Sequence, residues 1–569
     1  MSECVNPYNF VRPGEPARKD KPKGHDKFDF EWLSGKITCN LKLVTPIFVP
    51  DPEKRKEIEE GENKGHKILE FFKVNNKPVI PPTEIKGMIR SVAEAASNSC
   101  FSVFDGGRLG KRLRPERYRG QIYAGRITSI PASDRDGSIV EMSPIKIPRN
   151  VAKKHNIWNN IAKNGKKVYV NQSVVNKGKI TNISDLSETH REGYIAGYLK
   201  TSDDFGRKQF ERVFVETENP KNFKFPYAIY QDFRVANKNS KYDETKVLKS
   251  GDTVWLRVKN NDEVEEIGFA QIYRKSFPYS LKNKLENWSK EFEHCSNPKH
   301  LCPACRVFGM VDEDGNEGGV AGNVSFSIAT LRNSLINLKP NQLLKILSLP
   351  KPTFHPFYLL NGDYYTSSSK LRGRKFYWHQ PYDKTLKRYT TTKEELKSNN
   401  QKLGLTSSVE LLLPPAEFTF TVAFDNLADR ELGLLLWSLE LENEMGHKLG
   451  MGKPLGLGSV EINIKKLEII DRRTRYTEIF SSGIQDKTAE RQIYIDAFKE
   501  KLEAENSSKK FGDIPNISDL KKIMNLQNPL QDNVKYPGDF DWFGRHKNLP
   551  LPTIEEAVTH KKTLRDCRS

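Results

Sequence analysis

Gly446–Ser459 reads GHKLGMGKPLGLGS, with five glycines and two lysines in fourteen residues. A run with one apolar face, Glu431–Leu441 (ELGLLLWSLEL), precedes it, and an alternating run, Val460–Ile464 (VEINI), follows it. The order is therefore helix, glycine-rich basic loop, strand. Glycine tolerates positive φ and lets another backbone approach, so N–H groups in such a loop can face a phosphate. His447, Lys448 and Lys453 bring positive charge to the same place. A P-loop needs a lysine followed by Ser or Thr, and Lys453 is followed by Pro454. A dinucleotide fingerprint opens a helix after a strand, the reverse of the order here. These exclusions leave a phosphate-facing loop or a plain flexible turn.

Two other stretches keep this loop company. Pro81–Arg90 reads PPTEIKGMIR, and Leu301–Gly309 reads LCPACRVFG. Taken in order with the glycine loop, they resemble the RAMP superfamily of CRISPR-associated proteins, most of all the backbone subunits of type III (III-D-like) RNA-guided effector complexes. The resemblance covers roughly Gly35–Cys100 and Phe292–Ile470. It implies an α+β fold with a ferredoxin-like, RRM-like core, a CRISPR guide RNA and a target RNA as partners, and neighbouring effector subunits.

Composition points the same way. The chain has 569 residues and a formal net charge of +19, which favours a polyanion over a small neutral ligand. Twenty tyrosines and thirty phenylalanines supply surfaces on which bases can stack. No stretch approaches the roughly 20 apolar residues that span a bilayer, and the N-terminus lacks a signal-like apolar core, so a cytoplasmic protein with no membrane partner is expected. Three of the seven cysteines fall within eleven residues, the spacing of a metal site rather than of a disulfide framework.

Residues 1–34 are charged and rich in Pro and Gly and read as an arm. Residues 35–100 form the first part of the core. Gly35–Val49 alternates through Ile37, Cys39, Leu41 and Leu43, as a half-buried strand does. Beyond it, Asp51 stands between Pro50 and Pro52. In the family an aspartate of this loop cuts target RNA with a divalent metal such as magnesium, and Asp51 is its positional match. Glu53 and Glu57 are weaker alternatives. Asp51 between prolines is equally an ordinary turn residue, and the loop departs from the family's glycine-rich form. Leu69–Val74 and Lys77–Ile80 flank Asn75-Asn76 as a hairpin. A helix then starts at Pro82, with Thr83 as its cap and Ile85, Met88, Ile89 and Val92 as its inner face. Lys86 and Arg90 lie four apart and share a face; the resemblance places guide phosphates there.

Residues 101–290 read as a mostly β insertion or as a degenerate second RAMP unit. They open with a basic run holding Arg108, Lys111, Arg112, Arg114, Arg117 and Arg119 around Tyr118, suited to a phosphate backbone or to a solvated loop. Strand-like runs follow at Ile122–Ile127, Lys167–Val170, Arg212–Glu216, Thr253–Val258 and Glu266–Ile272. If a second unit exists, Asp203 and Asp204 are its candidate acids.

Residues 291–471 are the second part of the core. In His294–Cys305 (HCSNPKHLCPAC), Cys302 and Cys305 can grip one ion as thiolates, with Cys295 third and His300 or His294 fourth. Zinc in a closed, structural role is expected. Lys370–His379 (KLRGRKFYWH) sets Arg372 and Arg374 beside three aromatics; by resemblance it could belong to a hairpin that wedges against the guide–target duplex. Residues 472–569 form a tail, with a helix over Lys487–Ala504 and an aromatic stretch, Tyr536–Pro552, that docks on a neighbour or back on the core. Four functions stay open: metal-assisted cleavage through Asp51, by in-line attack of a ribose 2′-hydroxyl on the adjacent phosphate; an RNA-binding scaffold; a guide-precursor endonuclease with His447 as general base; and a zinc-stabilised protein that binds only other proteins.

Overall fold

The structure, a computed structural model, describes residues 3–567 apart from 27, 29–30, 113–121, 172–173, 177–178, 202–208, 238–247, 260, 272, 312–317, 333–335, 348–349, 531–532 and 538–539. The chain forms two units, Met1–Gly106 with Leu281–Ser569, and Gly107–Ser280. Both are mixed α/β.

The elements that position the site in the first unit are β1 (Tyr8–Val11), β2 (Leu33–Leu43), β3 (Lys77–Ile80), α1 (Pro82–Ala96), α2 (Pro303–Phe308), β4 (Val324–Phe326), β5 (Ala329–Leu331), β6 (Arg374–Tyr377), β7 (Glu417–Leu427), α3 (Asp429–Leu439), β8 (His447–Lys448), β9 (Ser459–Ile470) and α4 (Arg491–Glu505). One sheet runs β8–β9–β2–β7–β5–β3, with β4 also on β7. Every pair in it is antiparallel. Strand alternation sorts its two faces. Ile37, Cys39, Leu41, Phe418, Phe420, Val422, Ile462 and Ile464 are buried inward. Lys36, Thr38, Asn40, Thr419 and Thr421 look outward.

The hairpin before α1 turns on Asn75 (φ 50°) and Asn76 (φ 61°), both left-handed as a two-residue turn needs. Pro82 is the first residue of α1, but the residue before the helix is Pro81 and Thr83 caps nothing. The inner face of α1 is the expected one, Ile85, Met88, Ile89 and Val92. Helix α3 is buried on every side from Glu431 to Leu439, because α1 and α4 both pack on it. Gly433 permits the second contact: a Cβ there would sit 1.9 Å from the carbonyl oxygen of Tyr494.

One sequence reading changes here, and one of two open alternatives is met. Residues 1–34 are no loose arm: β1 pairs with β6 from Tyr8↔Tyr377 to Val11↔Arg374, and Cys4 is disulfide-bonded to Cys567. The aromatic tail docks on its own unit, where Trp542 is fully buried with Tyr8, Phe10 and Phe357. Sequence alone could not show pairings between residues more than 350 positions apart. No described helix is long and apolar enough to cross a membrane.

The second unit is built on a long sheet ordered Lys167–Asn171, Tyr194–Lys200, Phe210–Glu216, Gly137–Pro148, Ile122–Ser129, Thr253–Val258, Val264–Gly268. The last strand begins earlier than expected and ends at Gly268. One apolar cluster gathers around Ile139, Phe225 and Phe233, with helix Tyr227–Asn237; another gathers around Ile147, Val151 and Val213, with helix Arg149–Lys154.

Candidate nucleic-acid groove and metal centre

The glycine loop is shaped by close backbone approach. A Cβ at Gly458 would lie 1.9 Å from the Leu449 carbonyl oxygen, and one at Gly450 would lie 2.5 Å from that of Phe48. Both residues are left-handed, φ 78° and 75°. The fold engages many of the loop's amides: Leu449 N–H donates to Gly458 O (2.8 Å), Met451 N–H to Phe48 O (2.9 Å) and Gly458 N–H to Pro46 O (2.8 Å). What the loop presents is side-chain charge more than a nest of amides.

A groove of about 480 Å³ opens between this loop, α1 and β6. It is lined by Thr83, Glu84 and Ser91 from α1, Lys375 and Tyr377 from β6, and His379, His447, Lys448 and Lys453. Burial lowers the pKa of Lys448 to about 7, with Lys453 adding repulsion, and Lys448 Nζ donates to the carbonyls of Gly456 and Leu457 at 3.3 Å. Burial lowers Lys375 to about 8 and also lowers Lys453, which Glu84 partly offsets. Three lysines that resist their own charge, against one carboxylate in the lining, make a site that an anion stabilises.

The two histidines are neutral. Burial pushes His447 down to about 4; its Nε2–H donates to Leu439 O (3.1 Å) and its buried Nδ1 has no hydrogen-bond partner among the described residues. His379 is held well below its ordinary value by burial, with Nε2–H donating to Gly446 O (3.0 Å) and Nδ1 against Ser459 Oγ (2.9 Å). A histidine with a pKa near 4 is poorly matched to general-base work at neutral pH.

Several predicted RNA contacts are placed elsewhere. Arg90 donates to Glu94 (2.8 Å), to Gly309 O (2.9 Å) and to Cys305 Sγ (3.4 Å). Arg374 donates to Glu94 (3.1 Å) and to Cys100 O (3.0 Å), and stacks 3.9 Å from the Phe101 ring. These two guanidiniums clamp one buried carboxylate inside the fold. Arg372 is buried, its pKa lowered to about 10 by that burial. Lys86 is half-buried on α1 and outside the groove lining. In the second unit Arg108 pairs with Asp232 (3.0 Å), and Lys111 and exposed Arg112 lie on a short strand, Gly110–Arg112. Arg114, Arg117, Tyr118, Arg119, Asp203 and Asp204 lie outside the described residues.

Asp51 is buried, and its Oδ1 accepts from Glu53 N–H at 3.1 Å, the geometry of a turn-holding aspartate. Among the described residues it belongs to no group of three side chains able to share a metal ion.

Such a group exists at the end of α1. Cys100, Cys295, Cys302 and Cys305 are all buried, with their sulfurs within 4.8 Å of one another. Cys100–Cys305 and Cys100–Cys302 are 3.5 and 3.6 Å apart. Four thiolates about 2.3 Å from one ion in a tetrahedron lie about 3.8 Å apart, so the cluster fits a tetrahedral metal. The Cys302 amide donates to Cys295 Sγ (3.4 Å), and Arg90 donates to Cys305, which supports thiolate charge. The fourth member of the cluster is thus Cys100: His300 is exposed, and neither it nor His294 belongs to the cluster. Spacing missed Cys100 because the second unit separates it from the others. The one available signal was a cysteine closing the helix that carries the first motif. From the CPAC motif, Arg306 donates to Glu431 (2.5 Å) and to Leu301 O (2.9 Å), locking α2 to α3.

A search of curated proteins gives no match. Solved structures similar to the chain include Thermofilum pendens Csc2, at 10% identity, 90% of each chain covered and a TM-score of 0.23. They include also the type III-B Cmr-beta complex bound to cognate target RNA, at 12% identity, 76% of this chain and 98% of that one, with a TM-score of 0.18. The model of the RAMP superfamily matches residues 40–274 and 280–461, well over half of the chain. The first unit's sheet draws strands from both stretches, β3 and the end of β2 from one and β4, β5 and β7 from the other. The chain belongs to the RAMP superfamily.

Proposed function

We propose that this chain is a guide-RNA-binding backbone subunit of a type III CRISPR effector complex, working as a scaffold for RNA. The observation that carries this reading is the groove between α1 and the glycine loop, with Lys375, Lys448 and Lys453 destabilised by burial until an anion arrives. The strand order β9–β2–β7–β4/β5, with α1 and α3 as crossovers, supports a ferredoxin-like core into which the second unit is inserted. The four-cysteine cluster is read as structural zinc, a closed site with no position left for a substrate. It ties the end of α1 to α2, and so holds one wall of the groove.

Cleavage through Asp51 is the competing reading. Its carboxylate holds a turn, and among the described residues no companion ligands gather around it. Target-RNA cleavage by the assembled complex, with wild type and Asp51→Ala, in magnesium and in chelator, separates the two. The scaffold reading expects guide binding and the same cut pattern in both. A magnesium-dependent cut that disappears in Asp51→Ala, with RNA binding intact, would show a nuclease.

A further inference from the structure

Among the described strands β6 pairs with β1 alone, so the two make a sheet of their own. A two-stranded sheet is marginal in water unless something else holds it. β6 brings Lys375 and Tyr377 to the groove. β1 backs them: Lys375 Nζ lies 4.0 Å from the centre of the Tyr8 ring, and Trp378 N–H, just past β6, donates to Pro7 O at 3.1 Å. What holds residues 4–12 in place therefore holds one wall of the groove.

That segment is fastened at both ends. At one end Arg12 donates its backbone N–H and two guanidinium N–H groups to Asp519, on helix Pro515–Ile523, at 3.0, 2.8 and 2.8 Å. At the other end Cys4 is bonded to Cys567, with the two Cα atoms 5.9 Å apart, a span that a disulfide bridges without moving the backbone. Two backbone hydrogen bonds lie beside it, Cys4 N–H to Leu564 O (3.1 Å) and Leu564 N–H to Cys4 O (2.8 Å). The fastenings differ in kind. The ion pair is indifferent to oxidants, whereas the disulfide persists only where its surroundings keep it oxidised.

The other five cysteines are engaged or enclosed elsewhere: four share the metal cluster, and Cys39 is buried in the first unit's sheet. Cys4 and Cys567 are buried too, but Arg565 and Asp566, next to Cys567, are exposed. Reaching this pair takes a local opening around Leu564, not the unfolding of the unit.

We propose that Cys4 and Cys567 form a redox latch on the groove wall, closed by a small disulfide such as glutathione disulfide and opened by a thiol. One thiolate of the pair attacks a sulfur of glutathione disulfide, forming a mixed disulfide and releasing one glutathione. The other thiolate attacks the protein sulfur of that intermediate and releases the second glutathione. The two thiols give up two electrons and two protons, which leave on the two glutathione thiols. Closing joins positions 563 apart and removes open states of the segment between Cys4 and Arg12. The latch acts whatever the groove binds.

The test is hydrogen exchange on the full chain, equilibrated with zinc in glutathione disulfide or in reduced glutathione, with mass mapping of the seven cysteines. In the disulfide arm Cys4 and Cys567 should lose their thiol hydrogens together and carry no glutathione. Exchange at residues 5–11 and 374–377 should be slower than in the reduced arm by roughly tenfold or more, and unchanged in Gly137–Pro148. Cys4→Ser should abolish the difference between the arms and leave Cys567 as a glutathione adduct. Exchange alike in both arms for wild type would overturn the proposal, a result that needs no variant to fold. So would Cys4 and Cys567 that stay thiols, or take up glutathione singly, in the disulfide arm. A redox response confined to Pro82–Ala96 and Pro303–Phe308 would also overturn it, placing the oxidation at the metal cluster.

Discussion

The two units build their sheets with opposite chemistry. The outward face of the first unit's sheet is lined by Thr38, Asn40, Thr419 and Thr421 between Lys36 and Lys42, with no ring in that set. One side of the second unit's sheet carries Tyr169, Tyr198 and Phe210 among Lys and Arg. In the proposed function the first unit holds a polyanion by charge, in a groove beside the sheet. The difference extends to what stabilises each unit. All seven cysteines lie in the first unit, and Gly107–Ser280 has none.

The largest expected effect follows from that asymmetry. Binding of structural zinc is worth about 10–16 kcal/mol in small zinc peptides, comparable to the whole stability of a domain. Chelator, or Cys100→Ser, should melt the corner holding α1 and α2. In hydrogen exchange, protection should fall around Pro82–Ala96 and Pro303–Phe308 and persist in Gly137–Pro148. The reverse pattern would break the comparison.

Next is the clamp on Glu94. Removing one partner of a buried ion pair costs about 3–5 kcal/mol. Glu94→Ala leaves Arg90 and Arg374 without their carboxylate and should lower the unfolding free energy by that amount, measured by denaturant titration. Asp232→Ala, which frees exposed Arg108 in the second unit, should cost no more than about 1 kcal/mol.

Acid should also separate the units. His447 is about 4 in the fold against an ordinary 6.5, so the unfolded chain binds the proton first. This contribution to stability is complete above pH 6.5 and is lost as pH falls towards 4. The second unit's His155 and His190 are not buried, so its signals should hold over that window. The smallest effect expected is that of Thr38→Ala on the outward face: RNA affinity and stability should stay within about 0.5 kcal/mol of wild type. A clear loss of RNA binding would mean that the first sheet reads nucleic acid after all.

Much of this was legible in local pattern. The period-two run in β2, the apolar faces of α1 and α3 and the Cys295, Cys302, Cys305 spacing are short-range signals, and each has its element or cluster in the structure. What escaped depends on distant partners. Arg90 reads as a phosphate contact until Arg374, almost three hundred residues later, meets it on Glu94. Cys100 has no neighbouring cysteine to announce it. Lys448 and Lys453 were legible as charge, but burial, which gives that charge its binding consequence, is a property of packing. His447 read as a candidate base for the same reason in reverse: its residue type is visible and its enclosure is not.

In the proposed scaffold the groove lysines hold the RNA backbone. The direct measurement is the affinity of the full chain for a guide-length RNA from about 50 to 200 mM salt, for wild type, Lys448→Ala and Lys453→Ala, repeated between pH 6 and 9. Each substitution should reduce the log–log salt slope by about one. Wild-type affinity should fall as pH rises through about 7, where Lys448 loses its proton, and Lys448→Ala should flatten that fall. Salt slopes and pH profiles unchanged in both variants would contradict the account.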